Sequence, residues 1–184
     1  MLVEIVPYKP EWAILYAHES QRIQAHIAPH IPFTIEHIGS TAVPNLGAKP
    51  IIDILIGLHN FESDNTHFVA KMQQLGYTYK QHYEQFMPYR RFFNLRDQIT
   101  VFPHLNLSCN VHTVALHSEF WNRHLLFRNY LRLNPQVLQA YYQHKLTLAQ
   151  RDWNDLGDYA EAKTAFIRQM EAEAQKYMET DKTP

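Results

Sequence analysis

The chain has 184 residues, 46% of them apolar and 19% charged, with 17 Lys plus Arg against 18 Asp plus Glu. That composition is globular rather than disordered, and the near-neutral charge argues against a broad nucleic-acid or anionic-membrane surface. The single cysteine, Cys109, excludes a disulfide framework and a cysteine-rich zinc site. No apolar run reaches the ~20 residues of a membrane span, and no signal peptide is evident, so a cytoplasmic protein is expected.

In chain order, Val3 to Val6 is a short strand candidate. Pro10 can open a helix carrying Trp12, Leu15, Tyr16, Ile23 and Ile27 at helical spacing. Phe33 to Ile38 reads as a strand. Ile51 to Leu58 reads as a buried central one, apolar on both faces except at Asp53. Phe61 to Leu75 is predicted helical and closed by Gly76. Strands are expected at Tyr89 to Leu95 and Val101 to Cys109. The second half is helical. Phe120 to Leu133 stops before Asn134-Pro135, and Val137, Leu138, Tyr141, Tyr142 and Ala149 mark the next amphipathic face. A last helix, capped by Asp158, carries Tyr159, Ala162, Phe166, Met170 and Tyr177 on one stripe. The expected fold is α+β: a mixed β-sheet with flanking helices, then a C-terminal helical hairpin or bundle. One domain is expected over residues 1–178, sheet-rich over 1–112 and helical over 117–178, with a flexible tail at 179–184.

The chemistry concentrates in IEHIGSTAVPNLGAKPIIDILIGL, Ile35 to Leu58. Gly39 lets the chain turn closely. Ser40 and Thr41 offer hydroxyl and N–H donors to a phosphate, and Lys49 adds a positive charge. The bland alternative is a turn with a capping serine. Asp53 lies in an apolar strand, where a carboxylate needs a metal, a cation or a donor; a structural ion pair is the alternative to a metal ligand. Arg90 and Arg91 alternate across their strand, so one of them can face a phosphate. His104, Asn106 and Ser108 share one strand face and would join the cleft if that strand neighbours the Asp53 strand. Arg128, Arg132, Lys145 and Lys163 on the C-terminal helices form either a solvated face or a positive rim over the cleft. The Tyr141, Tyr142, Phe166 and Met170 stripe reads as core, Cys109 as apolar filler, and most of the twelve histidines as surface or locally hydrogen-bonded residues.

The Gly-Ser turn followed by a strand Asp resembles the nucleotidyltransferase superfamily. The whole chain resembles the GrpB-like family, uncharacterised bacterial proteins assigned to that fold. The resemblance rests on IEHIGSTAVP (Ile35 to Pro44), KPIIDI (Lys49 to Ile54), RRFF (Arg90 to Phe93) and HLNL (His104 to Leu107). It continues through FRNYLRLNP (Phe127 to Pro135), YYQHKLTLA (Tyr141 to Ala149) and YAEAKTAFI (Tyr159 to Ile167). It implies a nucleotidyltransferase-like fold and a pocket in which Gly39, Ser40, Thr41, Lys49, Arg90 and Arg91 hold a nucleotide or other phosphorylated small molecule. Asp53 would hold Mg²⁺ or Mn²⁺ and act in catalysis with His104. The chain departs from the pattern at Leu55, where a second acid is usual, and at Gly57, Asn106 and Asn129. Glu36, Glu84 or Asp97 would have to complete an acidic site, Glu36 being nearest in sequence to the turn. The expected function is ligand binding, with metal-dependent nucleotidyl transfer as its active form. The alternative is a catalytically degenerate ligand-binding or protein-interaction module.

Overall fold

A computed structural model describes residues 2–102 and 105–180, with side chains except at 97–102, 105–107, 156 and 178–180. Helix α1 (Glu11–Ile27) begins after Pro10, whose fixed φ suits a first turn. Strands β1 (Phe33–Ile38) and β2 (Ile51–Leu58) follow, joined through a 3-10 turn at Ser40–Ala42. Helix α2 (Phe61–Gln74) ends before Gly76, which takes φ +86°. The short β3 (Thr78–Tyr79) leads into β4 (Arg91–Phe102) and β5 (Leu105–Ala115). Helices α3 (Glu119–Leu133), α4 (Pro135–Ala149), α5 (Leu156–Ala162) and α6 (Thr164–Thr180) complete the described chain. No helix among the described residues is long and apolar enough to cross a membrane.

The sheet order is β1-β2-β5-β4-β3. β2 runs parallel to β5, and the other pairs are antiparallel. Period-two alternation divides the β2 side chains between two helical layers. Ile52, Ile54, Ile56 and Leu58 pack with α1 and α2, together with Phe93, Cys109 and Val111. Leu55 faces the other way, with Ile38, Val114, Phe120 and Trp121. Asp53 is on that second face, which α3 to α6 cover.

Several expectations need correction. Val3 to Val6 forms no strand beyond the single Val6–Ala48 bridge. The two later strands are longer and displaced toward the C-terminus, and pair as a hairpin with register shifts between Leu95 and Ile99 and between Thr100 and Phe102. A helix cap does occur near Asp158, but the capping side chain is Asp155. Its Oδ1 accepts from the backbone N–H of Gly157 (2.6 Å) and Asp158 (2.9 Å). The C-terminal helix reaches Thr180, and residues 181–184 lie outside the described residues.

Candidate functional site

The site is built where the β1–β2 connection meets α4, α5 and the start of α6. Ile38 of β1, Asp53 of β2 and Asn110 of β5 form one rung of the sheet. Asn110 donates from Nδ2 to Asp53 Oδ1 (2.9 Å), and its own Oδ1 accepts from Arg96 (2.7 Å). Arg96 also donates to the Cys109 carbonyl at 3.0 Å, so a cation holds the amide that holds the carboxylate. Gly39 follows Ile38 with φ +71°, a backbone region that favours glycine. A Cβ there would lie 2.5 Å from Asp53 Oδ2, so the turn presses against the carboxylate.

Three lysines surround this floor. Lys49 Nζ lies 5.0 Å from the centre of the Tyr159 ring and Lys163 Nζ 4.5 Å from it. Lys145 is 1% exposed, stands 4.9 Å from the Tyr141 ring centre and donates to the Gly47 carbonyl. α4 docks closely enough that a Cβ on Gly47 would overlap the Tyr142 ring. No ion pair within 4.0 Å involves Lys49, Lys145 or Lys163 among the described residues.

The electrostatics follow from desolvation and crowding of like charge. Burial, then Lys163 and Lys49, push the Lys145 ammonium down to about 7. Burial and Lys49 push Lys163 down to about 8, with Asp53 opposing. Burial lowers Lys49 too, again against Asp53. The Asp53 carboxyl is raised by burial, while Asn110, Lys163, Lys49 and Arg96 pull it back. Tyr141 is raised by burial, opposed by the Ser40 side chain beside it. Lys49, Lys163 and Ser40 are half-buried, so they stay partly in contact with solvent.

The structure therefore brings together Gly39, Ser40, Lys49 and Asp53 of the predicted residues, and not the others it describes. The Thr41 hydroxyl is committed elsewhere: it bonds His37 Nε2 (3.0 Å) and the Ile51 carbonyl (3.4 Å), and Thr41 is buried. Arg91 lies on the opposite face, paired with Glu84 (3.2 Å) and 5.0 Å from the Phe61 ring centre. Arg90 shares the Asp53 face but sits beyond the end of β4. It bonds His112 Nδ1 (3.1 Å) amid Tyr83, Phe92 and Phe120. The rung of Asp53 and Asn110 continues to Asn94 on β4, three residues from Arg91, roughly 10 Å along a strand. His104 lies outside the described residues. Lys145 is buried and Lys163 half-buried, so the two do not form a solvated face.

Arg128 and Arg132 likewise turn inward. Arg128 donates to the His37 carbonyl (2.8 Å) and pairs with Glu36 (2.7 Å), while Arg132 donates twice to the Ala42 carbonyl (2.6 and 3.1 Å). Glu36 is thus held by Arg128 and does not complete an acidic site. Two residues of the site escape the sequence reading, Asn110 and Arg96. The alternation of His104, Asn106 and Ser108, carried one step further, reaches Asn110; no sequence signal marks Arg96.

A divalent ion of the Mg²⁺ or Mn²⁺ type prefers several oxygen donors. Here Asp53 is engaged by Asn110 and lies near Lys163, Lys49 and Arg96, and Leu55 and Gly57 offer no donor on the same strand face. Among the described residues no three His, Cys, Asp or Glu side chains gather to hold a metal. Among the described residues this donor set does not fit the ion.

The sequence profile described as GrpB protein matches residues 2–173. UPF0157 protein YqkA of Bacillus subtilis is 33% identical over 175 residues, 95% of this chain but 48% of that protein, so the chain spans about half the length of this relative. The crystal structure of conserved protein GrpB from Enterococcus faecalis covers 95% of this chain and 99% of its own, with TM-score 0.77 and 33% identity. The Cid1 poly(U) polymerase is similar at TM-score 0.54 and 14% identity, over 86% of this chain and 49% of that one, a likeness of fold alone. The sheet and its flanking helices are thus nucleotidyltransferase-like, and the chain belongs to the GrpB protein family.

Proposed function

We propose that this protein binds a phosphate-bearing small molecule, a nucleotide or another phosphorylated ligand, in the recess between the Gly39-Ser40 turn and α4 to α6. The observation that carries this reading is the convergence of Lys49 and Lys163 on the Tyr159 ring, and of Lys145 on the neighbouring Tyr141 ring and Gly47 carbonyl, near a floor whose one carboxylate among the described residues is Asp53. Burying ammonium groups together is costly, and an anion between them offsets that cost. Ser40 supplies a hydroxyl at the edge, and the Tyr141 and Tyr159 rings wall the lysines. The nucleotidyltransferase-like fold agrees with a phosphate ligand. The reading is one of binding rather than transfer, because among the described residues Asp53 meets Asn110 and the cations Lys163, Lys49 and Arg96 and no second acid.

Thermal denaturation with nucleoside triphosphates, pyrophosphate and orthophosphate tests it, on wild type and Lys163→Met. A ligand at ~100 times its Kd adds about 2.7 kcal/mol, roughly 5–10 °C for a chain of this size. The expected outcome is a shift of that order with at least one phosphate ligand, lost in Lys163→Met. No shift with any of them overturns the reading.

A further inference from the structure

We propose that the recess takes a polyphosphate, a di- or triphosphate group, as the free anion without a divalent cation, the lysine ammonium groups supplying the neutralising charge. The inference rests on the binding reading above and deepens it. It starts from the mismatch between the fold and the residues inside it. A polyphosphate carries several negative charges that must be balanced when it leaves water. Two devices do this in proteins: bound divalent ions held by carboxylates, or side-chain cations placed directly on the oxygens.

Among the described residues this recess has the second device and lacks the first. Lys49 and Lys163 approach from two sides of the Tyr159 ring, at 5.0 and 4.5 Å. Lys145, 1% exposed, is fixed by the Gly47 carbonyl and has spare N–H donors but no carboxylate partner among the described residues. An ion placed on Asp53 would meet Lys49 and Lys163, both close enough to act on that carboxylate. Like charges at that range repel strongly in a desolvated site. Asp53 instead serves the structure, anchoring Asn110 and, through Asn110, Arg96. The count of cations also sets the ligand class. With an anion bound to keep them protonated, three lysines against one carboxylate among the described residues leave more than one positive charge uncompensated, which matches a polyphosphate better than a monophosphate. The lowered ammonium values of Lys145 and Lys163 agree with cations held together in the absence of their anion.

The test is calorimetric titration of the full chain with inorganic triphosphate, UTP, ATP and orthophosphate, each in excess EDTA and again in excess magnesium. Binding of triphosphates in EDTA, no weaker than in magnesium, is the expected result. Binding that appears only with magnesium overturns the inference and leaves the binding reading standing. Absence of binding in both buffers overturns the binding reading itself. Orthophosphate binding as tightly as triphosphate overturns the polyphosphate assignment. Similar affinities for the inorganic and nucleoside triphosphates would identify the phosphate chain as the recognised group, whereas a preference for UTP or ATP would identify a nucleotide; either ranking, seen in EDTA, supports the inference. Two variants add readouts. Lys163→Met is expected to weaken metal-free binding about 10–100-fold, the value of one charge-assisted contact. Asp53→Asn removes a negative charge from an anion site and is expected to bind triphosphate in EDTA more tightly than wild type. A folded Asp53→Asn protein that loses binding would overturn the inference, and should that variant not fold, the EDTA-versus-magnesium comparison on wild type decides.

Discussion

At Gly39 two demands coincide, and either alone would restrict the residue. The backbone takes φ +71°, and the space a side chain needs is filled by the Asp53 carboxylate, 2.5 Å from the Cβ position. Gly39→Ala therefore incurs both left-handed strain and overlap with a partly buried charge. The expected loss is about 2 kcal/mol of unfolding free energy, read from urea denaturation. A change within ~0.5 kcal/mol, the range of an ordinary surface substitution, would mean the turn relaxes without disturbing Asp53. The proximity of Gly39, Ser40, Lys49 and Asp53 is legible in the sequence because a strand, a tight turn and a strand lie between Phe33 and Leu58, and local geometry returns them to one place. Thr41 departs from expectation for an equally local reason. The 3-10 turn directs its hydroxyl back to His37 and the Ile51 carbonyl, so the hydroxyl closes the turn instead of lining it.

At the scale of elements, α3 braces the loop that forms the site. Arg128 and Arg132, one helical turn apart, reach the carbonyls of His37 and Ala42 on either side of Gly39-Ser40. Arg128→Met would leave the His37 carbonyl and Glu36 without this partner. The expected cost is about 1–3 kcal/mol in unfolding free energy, with weaker phosphate-ligand binding although Arg128 is not proposed to touch ligand. Unchanged binding in a destabilised Arg128→Met would separate the brace from the site. The sequence shows that these arginines share a helix face, but not which way that face turns. Docking of α3, α4 and α6 depends on contacts 90 or more residues apart, such as Arg132 with Ala42 and Lys145 with Gly47. For the same reason the sequence leaves Lys145 and Lys163 open between a solvated face and a rim. Arg90 and Arg91 fall away from the site through strand register: β4 pairs with β5 so that the rung of Asp53 meets Asn94 rather than either arginine. No single-sequence pattern fixes a register that irregularities farther along the hairpin also shift.

Over the whole molecule, the sheet divides a mainly apolar layer under α1 and α2 from a more polar one under α3 to α6, and each holds a buried histidine, His37 on the α1 face and His124 on α3. His37 stacks on Tyr16 with ring centres 4.5 Å apart, and burial, with Arg132 and Arg128 nearby, pushes its imidazole down to about 3. His124 stacks on Phe120 and is pushed down to about 4 by burial and by Arg123, Arg90 and Arg168, against the Phe120 carbonyl. In the unfolded chain both would titrate near 6.5. Between that value and their folded values, the unfolded state binds protons that the folded state refuses. Stability then falls as pH drops below about 6.5 and keeps falling toward about 4 and 3. Asp53 acts in the opposite sense, because its raised carboxyl takes a proton first in the folded state. The histidine contribution is isolated by comparing wild type with His37→Gln, whose amide keeps a polar group near Thr41 but does not titrate. Urea midpoints measured between about pH 7 and pH 5 should decline with acid in wild type and decline less steeply in the variant, even though the variant starts lower. Parallel declines would show that His37 accepts its proton in the folded state as readily as in the unfolded one. The contact with Tyr16 and Thr41 would then be open to water rather than the sealed joint between α1, β1 and the turn that carries Ser40.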